Sequence, residues 1–216
     1  MKNHYNDEFE DRKYCYPQTS VLINKLEITN PDEFYHAERD ITSITILELH
    51  ENPLPGCFDL EYLRDIHRFI FHDIYSWAGE LRTVDISKGI IFCPWQNIEN
   101  FAADIFDKLK KENYLIDTAY QDYVARIADY FGEINVMHPF RDGNGRVQRI
   151  FIENLANVSG YSIDFIGITG EEMIEACYDS YRCKNDKLEN LIKKSISPIS
   201  KKEQDEFMKI MDFCRL

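Results

Sequence analysis

"YVARIADYFGEINVMHPFRDGNGRVQRIFIENLANVSG", residues 123–160, holds two helical patterns separated by a glycine-rich turn. In the first half Tyr123, Ile127, Phe131 and Ile134 recur at spacings of three and four, so they share the face of a helix laid against a core. Pro139 disfavours the α conformation at His138, and the helix is expected to stop there. In the second half Val147, Ile150, Phe151, Leu155 and Val158 resume the helical spacing, and Gly160 stands where a C-terminal cap belongs. The stretch between them, "HPFRDGNGRVQR", is therefore a loop joining two core helices.

The same period recurs on both sides. Asn30 can cap a helix that has Pro31 at its first position and runs through "NPDEFYHAERDITSITILELH" to the break at "NPLPG". Asp59 can cap the next, in which Leu60, Leu63, Ile66, Ile70, Ile74 and Trp77 predict an amphipathic helix ending near Gly79. Ile98 to Lys111 follows, with Phe101, Ile105 and Leu109 on one face. Thr169 and Glu172 form a capping-box pattern, and "KLENLIKKSI" and "EQDEFMKIMDFC" read as two further helices. The confident strand signal is a pair of β-rich runs, Thr83 to Ile86 and Ile90 to Cys93, flanking "SKG" as a small hairpin. The expectation is an all-α bundle with one β-hairpin, in a single domain over residues 1–216. Its core spans about 55–195, with a helical extension at about 14–52 and a C-terminal helix at about 200–214.

The chain carries 25 basic and 38 acidic side chains, a formal net charge of −13, which repels nucleic acid and anionic membrane. No stretch approaches the roughly 20 apolar residues that span a bilayer, and "MKNHYNDEFEDRKYCYP" lacks the apolar core of a signal peptide. A cytoplasmic protein is expected, with no direct nucleic-acid partner and no membrane. The six cysteines include no C-x-x-C pair, so neither a zinc site nor a redox motif is indicated. No P-loop or dinucleotide fingerprint occurs, and His67 and His72, five apart, miss the spacing of a helical metal pair.

Against that acidic background the loop concentrates three arginines around two glycines. A helix beginning just after "DGNG" presents unpaired main-chain N–H groups and the positive end of its dipole, an anion site. Gly143 and Gly145 allow positive φ and close approach of a bulky anion, and Arg146 and Arg149 lie one turn apart, suited to phosphate oxygens. Asp142 alone would repel such an anion; a Mg²⁺ ion shared with substrate phosphates resolves the conflict. His138 is the group in the loop whose unperturbed pKa lies near neutrality, a candidate base for an attacking hydroxyl. Nucleotide, metal and base together suggest phosphoryl or nucleotidyl transfer. The plainer alternative is a glycine turn whose arginines cap helices and pair with surface acids.

"HPFRDGNGRVQR" resembles the signature of the Fic family, His-x-Phe-x-Asp/Glu-Gly-Asn-Gly-Arg-x-x-Arg, matching it at every specified position. The resemblance extends through "YCYPQTSVLINKL", "IHRFIFHDIYSWAGELRTVDI", "EINVMHPF" and "RIFIENLANVSGY", and is closest to the bacterial cell-filamentation branch. It implies a Fic-fold helical bundle with a hairpin flap, and transfer of AMP from ATP to a protein hydroxyl. By that resemblance His138 is the base, Phe140 anchors the loop in the core, and Asp142 holds Mg²⁺. Gly143 and Gly145 supply the anion-binding main chain, Asn144 bonds to the phosphates, and Arg146 and Arg149 grip the β- and γ-phosphates. Ile90, Ile91 and Phe92 would be the flap edge that pairs with an extended target segment.

Fic proteins are commonly restrained by a Ser/Thr-x-x-x-Glu-Gly/Asn motif, whose glutamate pairs with the second arginine. Here Thr29 and Glu33 are followed by Phe34, and Glu189-Asn190 is preceded by Asn185, so neither fits. The resemblance thus implies a toxin-type enzyme held by a separate small antitoxin that supplies the glutamate, with a topoisomerase subunit such as gyrase as target. Two alternatives stand beside adenylylation: kinase-like phosphate transfer, and a catalytically silent toxin–antitoxin or regulatory binding module.

Overall fold

The structure is a computed structural model and describes residues 13–211. Eight α-helices run in chain order among these residues: α1 Pro31–Glu51, α2 Leu60–Phe71, α3 Ile98–Lys111, α4 Tyr120–Met137, α5 Asn144–Ser159, α6 Gly170–Tyr181, α7 Asp186–Ser195 and α8 Lys201–Ile210. None of the described helices is long and apolar enough to cross a membrane.

Helix α5 is the axis of the molecule. Val147, Ile150, Phe151, Ile152, Leu155, Ala156 and Val158 are all buried and face more than one direction, which marks a helix enclosed on several sides. It packs against α2, α4 and α8. Gly160 ends it at φ 93°, as the cap position requires. The face of α4 that reads from Tyr123 through Ile127 and Phe131 to Ile134 is buried along its length. At the other end of the chain, the Thr169–Glu172 capping box opens α6 as expected, and a second box, Ser200 with Glu203, opens α8. The final residues assigned to a C-terminal helix, 212–214, lie outside the described residues.

Helix α1 begins where expected, with the Asn30 side chain accepting from the N–H groups of Asp32 and Glu33. Helix α2 is shorter than its apolar pattern predicts, ending at Phe71 rather than near Gly79. The reason lies in the segment before α1. Lys25 donates from its main-chain N–H to the Ile74 carbonyl at 2.8 Å and from its ammonium to the His72 carbonyl at 2.6 Å, drawing the chain out of helical register. Successive turns still bury Ile74, Tyr75 and Trp77, so the apolar spacing survives although the helix does not.

The predicted hairpin is looser than two paired strands. Residues 83–93 carry a single antiparallel bridge, Ser87 with Ile91, and the Lys88 N–H donates to the Ile90 carbonyl at 3.1 Å. The regular two-stranded sheet lies elsewhere: β1 (Tyr161–Ile163) pairs antiparallel with β2 (Ile196–Pro198), tying the end of α5 to the start of α8. The segment 83–93 is held to the body by the Cys93 N–H donating to Val136 at 2.9 Å, so it lies against the C-terminal end of α4.

Candidate active site

His138 is the C-cap of α4, in the left-handed region at φ 45° and ψ 62°. Pro139 bars it from continuing the helix, and its own N–H still closes the last turn onto Ile134 at 3.1 Å. Its ring is buried and stacks on Phe92 with centroids 3.7 Å apart. Nδ1 lies 3.1 Å from the Asn135 carbonyl; a carbonyl only accepts, so Nδ1 carries the proton and Nε2 is left with its lone pair. Burial, with the nearby Lys88 charge, pushes the imidazole down to about 3, so it is neutral throughout the physiological range. The fold thus moves the ring well away from its unperturbed value.

The turn itself is pinned from inside. Phe140 is fully buried and stacks 4.1 Å over His67. The Asn144 amide clamps that residue's main chain, accepting from the Phe140 N–H at 2.9 Å and donating to the Phe140 carbonyl at 2.7 Å. Gly143 has φ 79°, and a Cβ there would sit 2.4 Å from the Phe71 ring. Gly145 differs: it is helical, and a Cβ there would meet nothing nearer than the Arg149 guanidinium at 3.5 Å. Both glycines allow positive φ, and of the two Gly143 adopts it. The second leaves open space beside the start of α5, where the N–H groups of Asn144 and Gly145 precede the first intrahelical bonds.

Charged groups flank the turn and the first turn of α5. Although burial opposes charge on Asp142, Lys88, Arg146 and the Gly143 N–H hold its carboxyl below the usual carboxylate range. The Arg146 guanidinium sits over Phe71, 4.6 Å from the ring centroid, and donates to Glu38 at 2.6 Å and to Thr42 at 3.0 Å; Asp142 is 3.7 Å away. Arg149, half-buried one turn on, faces an open cavity of about 490 Å³ between α1, α5 and the β1 loop, lined also by His50, Glu153 and Ile166. In the flap segment Ile90 and Phe92 point inward, Phe92 forming one wall of the His138 site, while Ile91 is 72% exposed.

Four residues bear on the site that sequence reasoning did not select. Glu38 and Thr42 come from α1, on the stripe shared by Phe34, Thr45 and Leu49, and a carboxylate on a buried stripe is the signal that could have found them. Burial pushes the Glu38 carboxyl above the usual range against the pull of Arg146. His67 sits likewise on the buried face of α2. It accepts from the Gly79 N–H at Nδ1 (2.8 Å), so Nε2 is protonated and donates to the Asp142 carbonyl at 3.2 Å. Arg82 is the fourth, and sends its Nε–H to the His138 carbonyl at 2.8 Å.

A helical bundle with a histidine-capped helix, an acidic glycine turn and two arginines at the start of the next helix defines the class of Fic-type folds. The Fic/DOC family is matched over residues 57–156. The chain is 35% identical to protein adenylyltransferase VbhT of Bartonella schoenbuchensis over 193 residues, 89% of this chain and 39% of that protein. It is 37% identical to a Salmonella typhimurium protein named "Probable protein adenylyltransferase Fic" over 174 residues, covering 79% of this chain and 86% of that one. Among solved structures it is similar to BepC of Bartonella tribocorum with bound AMPPNP (TM-score 0.82, 27% identity, 87% of this chain and 97% of that one). A Bartonella quintana Fic domain with bound ADP also gives a TM-score of 0.82, at 30% identity over 88% of this chain and 96% of that one. The chain belongs to the Fic/DOC family.

Proposed function

We propose that this chain is a protein adenylyltransferase that moves AMP from ATP to a hydroxyl side chain of another protein. The observation that carries the reading is a neutral histidine with a bare Nε2, set in the same turn as unpartnered helix-start N–H groups, two arginines and a carboxylate. The nucleotides in related Fic structures support ATP as the cosubstrate. In the reaction the acceptor oxygen bonds to the α-phosphorus, the bond to the β-phosphate oxygen breaks, and pyrophosphate leaves. His138 Nε2 takes the hydroxyl proton. Its low proton affinity in the free protein rises when a polyanion sits beside it.

The N–H groups at the start of α5 receive phosphate oxygens, and Arg146 and Arg149 hold the outer phosphates, orienting the α-phosphate for in-line attack. The Gly145 face lets the chain of phosphates lie close to the backbone. A Mg²⁺ ion fits the donor set: one carboxylate, Asp142, kept ionised beside the place for the phosphates, as Mg²⁺ binds through one or two carboxylates plus substrate phosphates. When bound it supplies neutralisation of phosphate charge. Asp142 would hold it, and His67 fixes the Asp142 main chain from behind. The Ile91 edge of the flap segment would take up the target by main-chain pairing.

Restraint by a separate antitoxin helix fits the absence of an internal motif and the open cavity at Arg149. A topoisomerase subunit such as gyrase, in the cytoplasm, is the target class to assay first. The test incubates the protein with bacterial lysate, Mg²⁺ and ATP labelled at the α- or the γ-phosphate. Adenylylation labels protein from α-labelled ATP alone. Label from γ-labelled ATP would make it a kinase, and no label would leave a silent module. His138→Ala should cut transfer by about 10²- to 10⁴-fold while sparing ATP binding.

A further inference from the structure

Arg82 is the largest of the fully buried side chains among the described residues, at 1% exposure. A guanidinium taken out of water needs partners for its N–H groups and a counter-charge. The nearest carboxylate, Asp85, is 3.8 Å away and itself accepts from the Trp95 N–H. Main-chain carbonyls serve instead. NH1 donates to Val84 at 2.8 Å, NH2 to Cys93 and to Met137 at 3.4 Å, and Nε to His138 at 2.8 Å. The Arg82 N–H adds a bond to the Pro139 carbonyl at 2.9 Å.

These acceptors come from three places: the start of the flap segment, its end, and the last turn of α4. Helix ends leave carbonyls unsatisfied and carry the negative end of the dipole, so a cation belongs there. Here the cation reaches past the helix to the carbonyl of His138 itself, whose left-handed backbone must be held by its surroundings. Another carbonyl it binds, at Cys93, follows Phe92, the ring on which the His138 imidazole stacks. One side chain therefore sets both the backbone and the stacking wall of the histidine.

We propose that Arg82 is a positioning residue for the transfer reaction: it locks both ends of the flap segment and the His138 turn into one unit, so that Nε2 and the target-bearing edge stay in register. The proposal rests on the adenylyltransferase reading. Lysine has the charge without the fork, and glutamine has neither, so Arg82→Lys and Arg82→Gln separate charge from geometry.

Both variants should melt cooperatively and bind a non-hydrolysable ATP analogue within about threefold of the wild type, since the Arg82 bonds run to the flap segment and residues 137–139 rather than to Arg146 or Arg149. Their kcat for AMP transfer should fall by about 10²-fold. In ¹⁵N-histidine spectra the single Nδ1–H tautomer of His138 should give way to a mixture. Wild-type kcat in either variant, or an unchanged His138 tautomer with lost transfer, would overturn the proposal. So would a loss of kcat matched by an equal loss of nucleotide-binding capacity, the mark of a purely structural role. Should both variants fail to fold, the wild type decides: the Arg82 Nε–H and the Arg82 and Cys93 amides should exchange slowly, at one common rate, and fast exchange of Nε–H would refute it. The tautomer and exchange readouts do not depend on which reaction is catalysed. Failure of the wild type to transfer AMP would sink the functional reading and leave them standing.

Discussion

The two glycines of the turn look equivalent in the sequence and are opposite in the structure. At Gly143 both φ and the Phe71 ring forbid a side chain, so Gly143→Ala should cost about 2 kcal/mol or more of stability. At Gly145 the backbone is helical and a Cβ has room, so Gly145→Ala should leave stability unchanged or raise it by up to about 1 kcal/mol. Its cost should fall on ATP affinity, because the added methyl occupies space beside the N–H groups that receive phosphate. Urea unfolding and ATP titration of the two variants separate the effects; equal destabilisation by both would refute the distinction. The signature stretch made the residue types of the site legible without the structure. It could not tell a glycine needed by the fold from one needed by a ligand, since that depends on Phe71, 72 positions upstream.

At the scale of elements, helix boundaries were legible wherever a local chemical stop exists. Pro139 ends α4, Gly160 ends α5, and the Asn30 cap starts α1. The end of α2 was not, because the group that interrupts it is Lys25, a tertiary partner invisible to periodicity. The strands of the flap segment were over-read for a related reason: β-rich composition there serves burial of Ile90 and Phe92 rather than a ladder. Helix α1 matters to function through Glu38 and Thr42, two turns and more beyond its cap. Asn30→Ala should therefore lower stability by about 1 kcal/mol, with Asn30→Asp close to wild type, measured by thermal melts. If the alanine variant melts like the wild type, the two N–H bonds seen at Asn30 contribute nothing.

For the whole molecule the consequence of burying charge-capable groups is a pH profile unlike that suggested by a pI near 4.9. Two histidines, His67 and His138, are buried and pushed down to about 3, chiefly by loss of water. Unfolding returns them to an ordinary value near 6.5, so below that pH the unfolded chain binds protons that the native state refuses. Stability from this source is fully present above about 6.5 and is lost as pH falls toward 3, at up to about 1.4 kcal/mol per pH unit for each histidine. His50 has the opposite sign: its hydrogen bond to Glu153 raises it, so its contribution is present below 6.5 and lost as pH rises through its folded value. That contribution is small, because the His50 side chain is 50% exposed. The two effects lie on opposite sides of 6.5, and maximum stability should fall near that pH rather than in the acid range. Between pH 6 and 5, above the titration of most carboxylates, the two buried histidines should dominate the slope. His138→Ala should then reduce the slope by about half, alongside its loss of transfer. Urea unfolding of wild type and variant at half-unit steps from pH 7.5 to 5 measures both slopes, and a flat wild-type profile below 6.5 would show that neither ring is held neutral by the fold.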